Sequence, residues 1–141
     1  MTRIATVILW LFLITAATCA PKSKNEDSFA TLEKLLATKF PKSALVVFYN
    51  HTVGLDDTWL AKVTLSRSDL EDLLKTEPFK KAKWKSGVHT PSIPESWWKP
   101  RLLAEPFSSQ IRLQGAKGAN VVYGHDSSNE TWVLYLQIFE T

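Results

Sequence analysis

The sequence predicts an α+β domain in which an antiparallel sheet of four to five strands carries two helices packed on one face. Apolar residues recur at helical spacing in two segments, and at least four other segments are apolar at strand spacing. Short polar turns separate the strands within each pair. Runs of adjacent strands with helices inserted between them are typical of an α+β sandwich.

The first helix is predicted over residues 28–39, with Ser28 as its N-cap. Its apolar stripe consists of Phe29, Leu32, Leu35 and Leu36. Pro41 ends it, because proline cannot donate a backbone hydrogen bond and restricts the residue before it. A second helix is predicted at residues 67–75, capped by Ser66 or Ser68.

Two antiparallel hairpins are predicted, over residues 44–65 and 118–139. The last strand is apolar on both sides, which predicts a central position in the sheet. One side of that strand carries Trp132, Leu134, Leu136 and Ile138, and the other carries Val133, Tyr135 and Phe139.

Residues 76–109 form a proline-rich segment that contains five of the seven prolines. We expect no long helix or central strand there, and a short extra strand at residues 110–113. Such a long irregular excursion in a small domain is commonly functional or disordered. Trp84, Trp97 and Trp98 argue against disorder, because large aromatic side chains gain from burial.

The chain of 141 residues has room for one modest domain once an N-terminal leader is removed. We divide it into a signal peptide (residues 1–18), a polar tether (residues 19–28) and a single α+β domain (residues 29–141). The leader has one early arginine, an apolar run too short to span a bilayer comfortably, and then small residues.

Cys19 is the single cysteine of the chain and follows Ala16-Ala17-Thr18. This stretch resembles the lipobox of bacterial lipoproteins, in which the cysteine becomes a lipidated first residue, although Ala16 stands where that family usually has leucine. The resemblance implies palmitate-type acylation of Cys19 and a membrane anchor in the bacterial cell envelope. The alternative is a secreted protein cut after Ala20.

Four further elements occur in a familiar order: residues 40–44 (FPKSA), 54–57 (GLDD), 96–100 (SWWKP) and 132–136 (WVLYL). As a set they resemble a group of small bacterial lipoproteins of unknown function with P-x-S-A, G-x-x-D, WW-x-P and terminal aromatic-strand elements. The resemblance spans residues 40–139. It implies an envelope location and no particular chemistry.

Composition and motifs argue against several classes of function. The formal net charge is +3, and it falls to +2 when Arg3 is removed with the leader. The one cluster of basic residues, near Lys83, is short. Because nucleic-acid-binding domains usually carry a larger basic surface, we expect no nucleic-acid partner. The absence of CxxC, HExxH and glycine-rich phosphate motifs predicts no metal and no cofactor. Three histidines in separate segments and no G-x-S-x-G motif argue against a hydrolase.

The candidate binding residues are Trp97, Trp98, Lys99 and Arg101. In an extended, proline-stiffened segment, consecutive tryptophans point to opposite sides, so we expect one buried and one exposed. An exposed tryptophan beside two cations can stack on a sugar or rest at a lipid interface. The leading hypothesis is a non-enzymatic module for a protein or glycan partner, and the alternative is a small hydrolase with a site under residues 76–109.

Lipidation of Cys19 predicts a specific mature N-terminus. Mass spectrometry of the membrane fraction should detect an acylated peptide that begins at Cys19, and Cys19→Ser should release the protein from that fraction, because the acyl chains provide the anchor. An unmodified mature chain beginning at Pro21 would contradict the prediction.

Overall fold

The computed structural model describes residues 24–141, so the predicted leader and Cys19 lie outside the described residues. Two helices are present, α1 (Lys24–Leu36) and α2 (Arg67–Leu74). The strands are β1 (Leu45–Thr52), β2 (Thr58–Leu65), β3 (Lys85–Ser86), β4 (Ala104–Leu113), β5 (Lys117–Asp126) and β6 (Thr131–Glu140). Two short 3₁₀ turns span Phe79–Lys81 and Pro100–Leu102.

The strands form one antiparallel sheet in the order β1-β2-β6-β5-β4-β3. The α+β class is confirmed, and so are the two predicted hairpins, β1-β2 and β5-β6. Strand β6 lies between β2 and β5, in the central position that its two apolar sides predicted.

The sheet has six strands within residues 24–141, so the predicted count of four to five was wrong. Strand β3 is only two residues long, and β4 is ten residues long where a short strand at 110–113 was expected. The longer β4 contains Pro106, which sits at a register shift between Ala104 and Phe107. A bulge tolerates proline because its residues are not required to donate to the ladder.

Helix α1 begins at Lys24, four residues before the predicted start at Ser28, so it includes residues assigned to the tether. Glu26 and Asp27 lie in its first turn, where negative charge is favourable to the helix dipole. Of the two predicted caps of α2, Ser66 and Ser68, the structure shows Ser66, whose hydroxyl accepts from the backbone N–H of Asp69 at 3.2 Å. No helix within residues 24–141 has the length and apolar character required to cross a membrane.

Both helices pack on the same side of the sheet, here called the helix face. Leu32 and Leu36 of α1 and Leu70 and Leu73 of α2 join its buried cluster. The sheet contributes alternate residues of its central strands, including Ala61, Val63, Val121, Leu134, Leu136 and Ile138. The predicted two-helix layer on one face is therefore present.

The opposite side of the sheet is covered by residues 87–103, here called the strap. A second buried cluster joins Trp98 and Leu103 of the strap to Leu60, Val122, Val133 and Tyr135 of the sheet. Val88, Ile93 and Trp97 pack at its margin. The sheet is consequently buried on both faces, although only one face carries helices.

Leu136 tests the central position of β6, because its side chain is fully buried on the helix face. Leu136→Asp should lower the free energy of unfolding by several kcal/mol, since it buries an unpaired charge. Leu55→Asp is the matched control, because Leu55 is fully exposed and should change stability by less than about 0.5 kcal/mol. Equal denaturant midpoints for the two variants would contradict this arrangement.

Candidate binding site on the strap face of the sheet

The strap departs from β3 through a turn that requires glycine. Gly87 has a φ of 94°, and its N–H donates to the carbonyl of Pro106 at 2.8 Å. The buried hydroxyl of Ser108 donates to the carbonyl of Gly87 at 2.8 Å and accepts from the N–H of His89 at 3.0 Å. These bonds fix the direction in which the chain leaves the sheet edge.

The strap returns to the sheet at Leu103, directly before β4. A Cβ atom on Gly124 of β5 would lie only 2.9 Å from the Cβ atom of Leu103, closer than two carbon atoms can approach. Glycine at this position therefore permits the close contact between the strap and β5. In the middle of the strap, the Asn50 side chain of β1 donates to the Glu95 carboxylate at 3.2 Å.

Trp98 is the buried tryptophan of the predicted pair. It is only 6% exposed, and its ring lies edge-on to the ring of Tyr135 with a centroid distance of 5.1 Å. Trp97 is partly buried, so the expectation of a substantially exposed partner was wrong in degree. The reason is that its ring stacks on Phe48 of β1, with centroids 5.3 Å apart and planes 6° from parallel.

A bulge in β1 brings Phe48 to the strap face. The pairing of β1 with β2 shifts between Val46 and Phe48, so Val47 is an additional residue in β1. Val46 therefore packs on the helix face, while Phe48 lies opposite Lys62 on the strap face. In a regular strand without the bulge, residues 46 and 48 would lie on the same face, because side chains alternate with a period of two.

The first cavity beside the strap, here called the Trp97 cavity, has a volume of about 620 Å³. Its aromatic lining consists of Phe48, Trp97 and Tyr135. Its polar lining includes Lys62, Lys99, Asp126, Ser127 and Ser128. The Lys62 ammonium lies 5.6 Å from the ring centre of Tyr135 and 5.9 Å from that of Phe48, within the range of cation–π attraction.

Two ionisable groups of the Trp97 cavity, Asp126 and Tyr135, have shifted pKa values. The Ser128 hydroxyl donates to the Asp126 carboxylate at 2.6 Å, and this bond, together with the Ser128 backbone and the Lys62 charge, lowers the pKa of Asp126. Burial raises the pKa of Tyr135, whose hydroxyl donates to the Trp97 carbonyl at 3.4 Å. Asp126 is thus an ionised acceptor at neutral pH, and Tyr135 is a neutral phenol.

The second cavity, here called the Trp98 cavity, has a volume of about 390 Å³ and lies between the first and last parts of the strap. Its apolar lining consists of Val88, Pro91, Trp98, Pro100 and Leu102. Its polar and charged lining consists of Thr90, Ser92, Lys99 and Arg101. Lys99 and Leu102 line both cavities, so the four residues proposed from the sequence border two neighbouring cavities.

A larger cavity, of about 1270 Å³, lies between the end of α1 and β4 and is also bordered by His89 and Thr90 at the start of the strap. Lys81, Lys83, Lys85 and Arg112 line it, but no tryptophan, tyrosine or phenylalanine does. Lys81 is paired with Glu77 at 3.6 Å. Exposed lysines on an open groove are ordinary solvated charges, so size alone does not make this groove the better candidate.

Sequence analysis did not identify Phe48, Lys62, Asp126, Tyr135 or Thr90 as site residues. Of these residues, only Lys62 could have been noticed in the sequence as a candidate site residue. It is the single charged residue of strand β2, whose other residues are apolar or threonine. Phe48 and Tyr135 lie in continuous apolar runs, which identify strands but not the face to which each residue belongs.

The three histidines occupy separate environments. The His51 ring stacks on the Trp59 ring with centroids 4.8 Å apart, and the His125 ring packs against the Trp132 ring with centroids 5.3 Å apart. His89 Nε2 lies 2.7 Å from the carbonyl oxygen of Ser86. No histidine lines the Trp97 or the Trp98 cavity. Across residues 24–141, no group of three or more His, Cys, Asp or Glu side chains is arranged to hold a metal ion.

Comparison of the chain with protein-family models, with curated proteins and with solved structures finds no match in any of the three. The two cavities and their residues are therefore interpreted from their own chemistry.

The two tryptophans should respond differently to truncation. Trp98→Ala should lower the free energy of unfolding by about 3–5 kcal/mol, because it removes the buried centre of the strap cluster. Trp97→Ala should cost less, about 2 kcal/mol, because the partly buried ring lies at the margin of the cluster and loses its contacts with Phe48 and Trp98. Chemical denaturation of both variants checks the difference, and equal losses would show that the two residues act as one structural clasp.

Proposed function

We propose that the protein is a non-enzymatic, envelope-anchored binding module that recognises a glycan in the Trp97 cavity. The observation that supports this proposal is the combination of an aromatic wall with a rim that contains both hydrogen-bond donors and hydrogen-bond acceptors. Phe48 and Trp97 supply the wall, and Lys62, Asp126 and Ser128 supply the rim.

The cavity matches the two kinds of surface that a sugar ring presents. One side of the ring carries C–H groups, which pack on aromatic side chains, and the edge carries hydroxyls, which both donate and accept hydrogen bonds. Lys62 can only donate, ionised Asp126 can only accept, and the Ser127 hydroxyl can do both. A concave site with a few polar groups of fixed position favours a small ligand over a flat protein surface.

The carboxylate count of the cavity supports binding without cleavage. Hydrolysis of a glycosidic bond ordinarily requires two carboxyl groups on opposite sides of the bond, one of which must remain protonated. Asp126 is the one carboxylate among the lining residues, and its pKa is lowered chiefly by the Ser128 hydroxyl. An ionised carboxylate of that kind serves to hold a hydroxyl group and is a poor proton donor.

The envelope location rests on the leader and on the resemblance to small bacterial lipoproteins. In this interpretation Cys19 carries the anchor, and the domain that follows presents the strap face to glycans of the cell envelope. A membrane-anchored module needs only modest affinity, because the ligand and the module are confined to the same surface.

Titration of the full chain with saccharides tests the proposal. N,N′-diacetylchitobiose, cellobiose and maltose are suitable probes, with tryptophan fluorescence as the readout. At least one sugar should give a saturable change, and Trp97→Ala should weaken its binding by about tenfold or more, as expected for a central aromatic contact.

Phe107→Ala is the matched control. Phe107 is a partly exposed aromatic residue that stacks on Tyr123 and lines neither cavity, so its removal should leave sugar binding unchanged. Asp126→Asn should weaken binding severalfold, because the amide replaces a charged acceptor. Absence of a saturable response to all three sugars, or equal effects of Trp97→Ala and Phe107→Ala, would refute glycan binding at this cavity.

A further inference from the structure

Two buried polar atoms without a hydrogen-bond partner belong to residues that line the Trp98 cavity. They are the indole Nε1 of Trp98 and the hydroxyl Oγ1 of Thr90. Trp98 itself is more than nine-tenths buried. A buried donor left unpaired is costly, so native proteins rarely leave such a group without a partner.

The two atoms share the ability to donate. The indole N–H donates only, and a threonine hydroxyl donates through its single O–H. A ligand that satisfies both therefore presents an acceptor oxygen, or a pair of them.

The charged residues of the cavity favour an anion. Lys99 and Arg101 are among its lining residues, and no aspartate or glutamate is. An arginine and two neutral donors around one site match a carboxylate, whose two oxygens accept several hydrogen bonds at once. The same groups repel a cation. They bind a neutral acceptor more weakly than an anion, because a neutral acceptor gains less from the positive charges.

The remaining walls of the cavity are apolar. Val88, Pro91, Pro100 and Leu102 surround the space beside the donors. The volume of about 390 Å³ is near the lower end of the range found for small-molecule sites, roughly 300–1,000 Å³. The two prolines restrict the backbone here, so the cavity exists before a ligand enters.

We propose that the Trp98 cavity is a second binding site, which takes a small apolar carboxylate. The carboxylate accepts from Trp98 Nε1 and Thr90 Oγ1 with Arg101 at its charged side, and the apolar body of the ligand packs on the prolines. This site is separate from the Trp97 cavity, so it does not depend on glycan recognition. Lys99 and Leu102 border both sites, and a ligand in one cavity is therefore close to the other.

The test uses the ¹⁵N-labelled full chain and benzoate as the probe, with the tryptophan indole N–H resonances as the readout. Trp98→Phe identifies the Trp98 resonance by its disappearance and keeps an aromatic ring in the core. Benzoate should shift this resonance in a saturable manner. Benzamide has the same apolar body without the charge, and it should bind at least tenfold more weakly.

Three variants separate this site from general anion binding. Arg101→Gln and Thr90→Val should each weaken benzoate binding severalfold or more, and Thr90→Val changes the side-chain volume very little. Arg112→Gln is the control, because Arg112 is an exposed arginine of the large groove and lines neither strap cavity. It should leave benzoate binding unchanged.

Two outcomes would overturn the proposal. A Trp98 resonance that does not move with benzoate would show that the indole N–H is satisfied by solvent or by the neighbouring Tyr135 ring. Equal responses to benzoate and benzamide, or equal effects of Arg101→Gln and Arg112→Gln, would show that the cations contribute no specific recognition. Neither outcome bears on sugar binding, which is measured through Trp97→Ala.

Discussion

The structure depends on covering the second face of a sheet that is apolar on both sides. Strand β6 places Leu134 and Leu136 against the helices and Val133 and Tyr135 against the strap. Within residues 24–141 both helices pack on the first face, and the side chain of Trp98 packs on the second. Complete burial of one large apolar side chain contributes about 1.5–3 kcal/mol, and the strap cluster buries several of them around Trp98.

The two cavities exist because the strap is attached to the sheet mainly at its two ends. Hydrogen bonds at Gly87 hold one end, and the contact of Leu103 with Gly124 holds the other. Between these ends the chain is irregular, and it cannot fill the surface of the sheet as closely as a helix would. The spaces beside Trp97 and Trp98 remain as cavities. Pro91 and Pro100 limit the backbone freedom of the strap beside the Trp98 cavity.

The early start of α1 affects the proposed attachment to the membrane. If Cys19 is the lipidated residue, five residue steps separate it from Lys24, where the helix begins. A fully extended chain of that length reaches about 17 Å, so the domain would remain close to the lipid surface. The proposed binding module would then meet its proposed glycan ligands near the membrane. A ten-residue tether would allow a longer reach and a wider range of orientations.

The sequence alone determined the fold class, both hairpins, the central position of β6 and the presence of a serine cap on α2. These features depend on local patterns, because alternation, helical spacing and turn residues act over a few positions. Only the tertiary structure decided the six-strand count, since β3 exists through pairing with β4 and Pro106 is accommodated by a bulge. The tertiary structure also decided which residues complete the cavities. A bulge in β1 allows Phe48 to stack on Trp97, and the fold of the strap places Thr90 and Trp98 in the lining of one cavity. Contacts between residues far apart in the chain depend on register and packing, which no local pattern encodes.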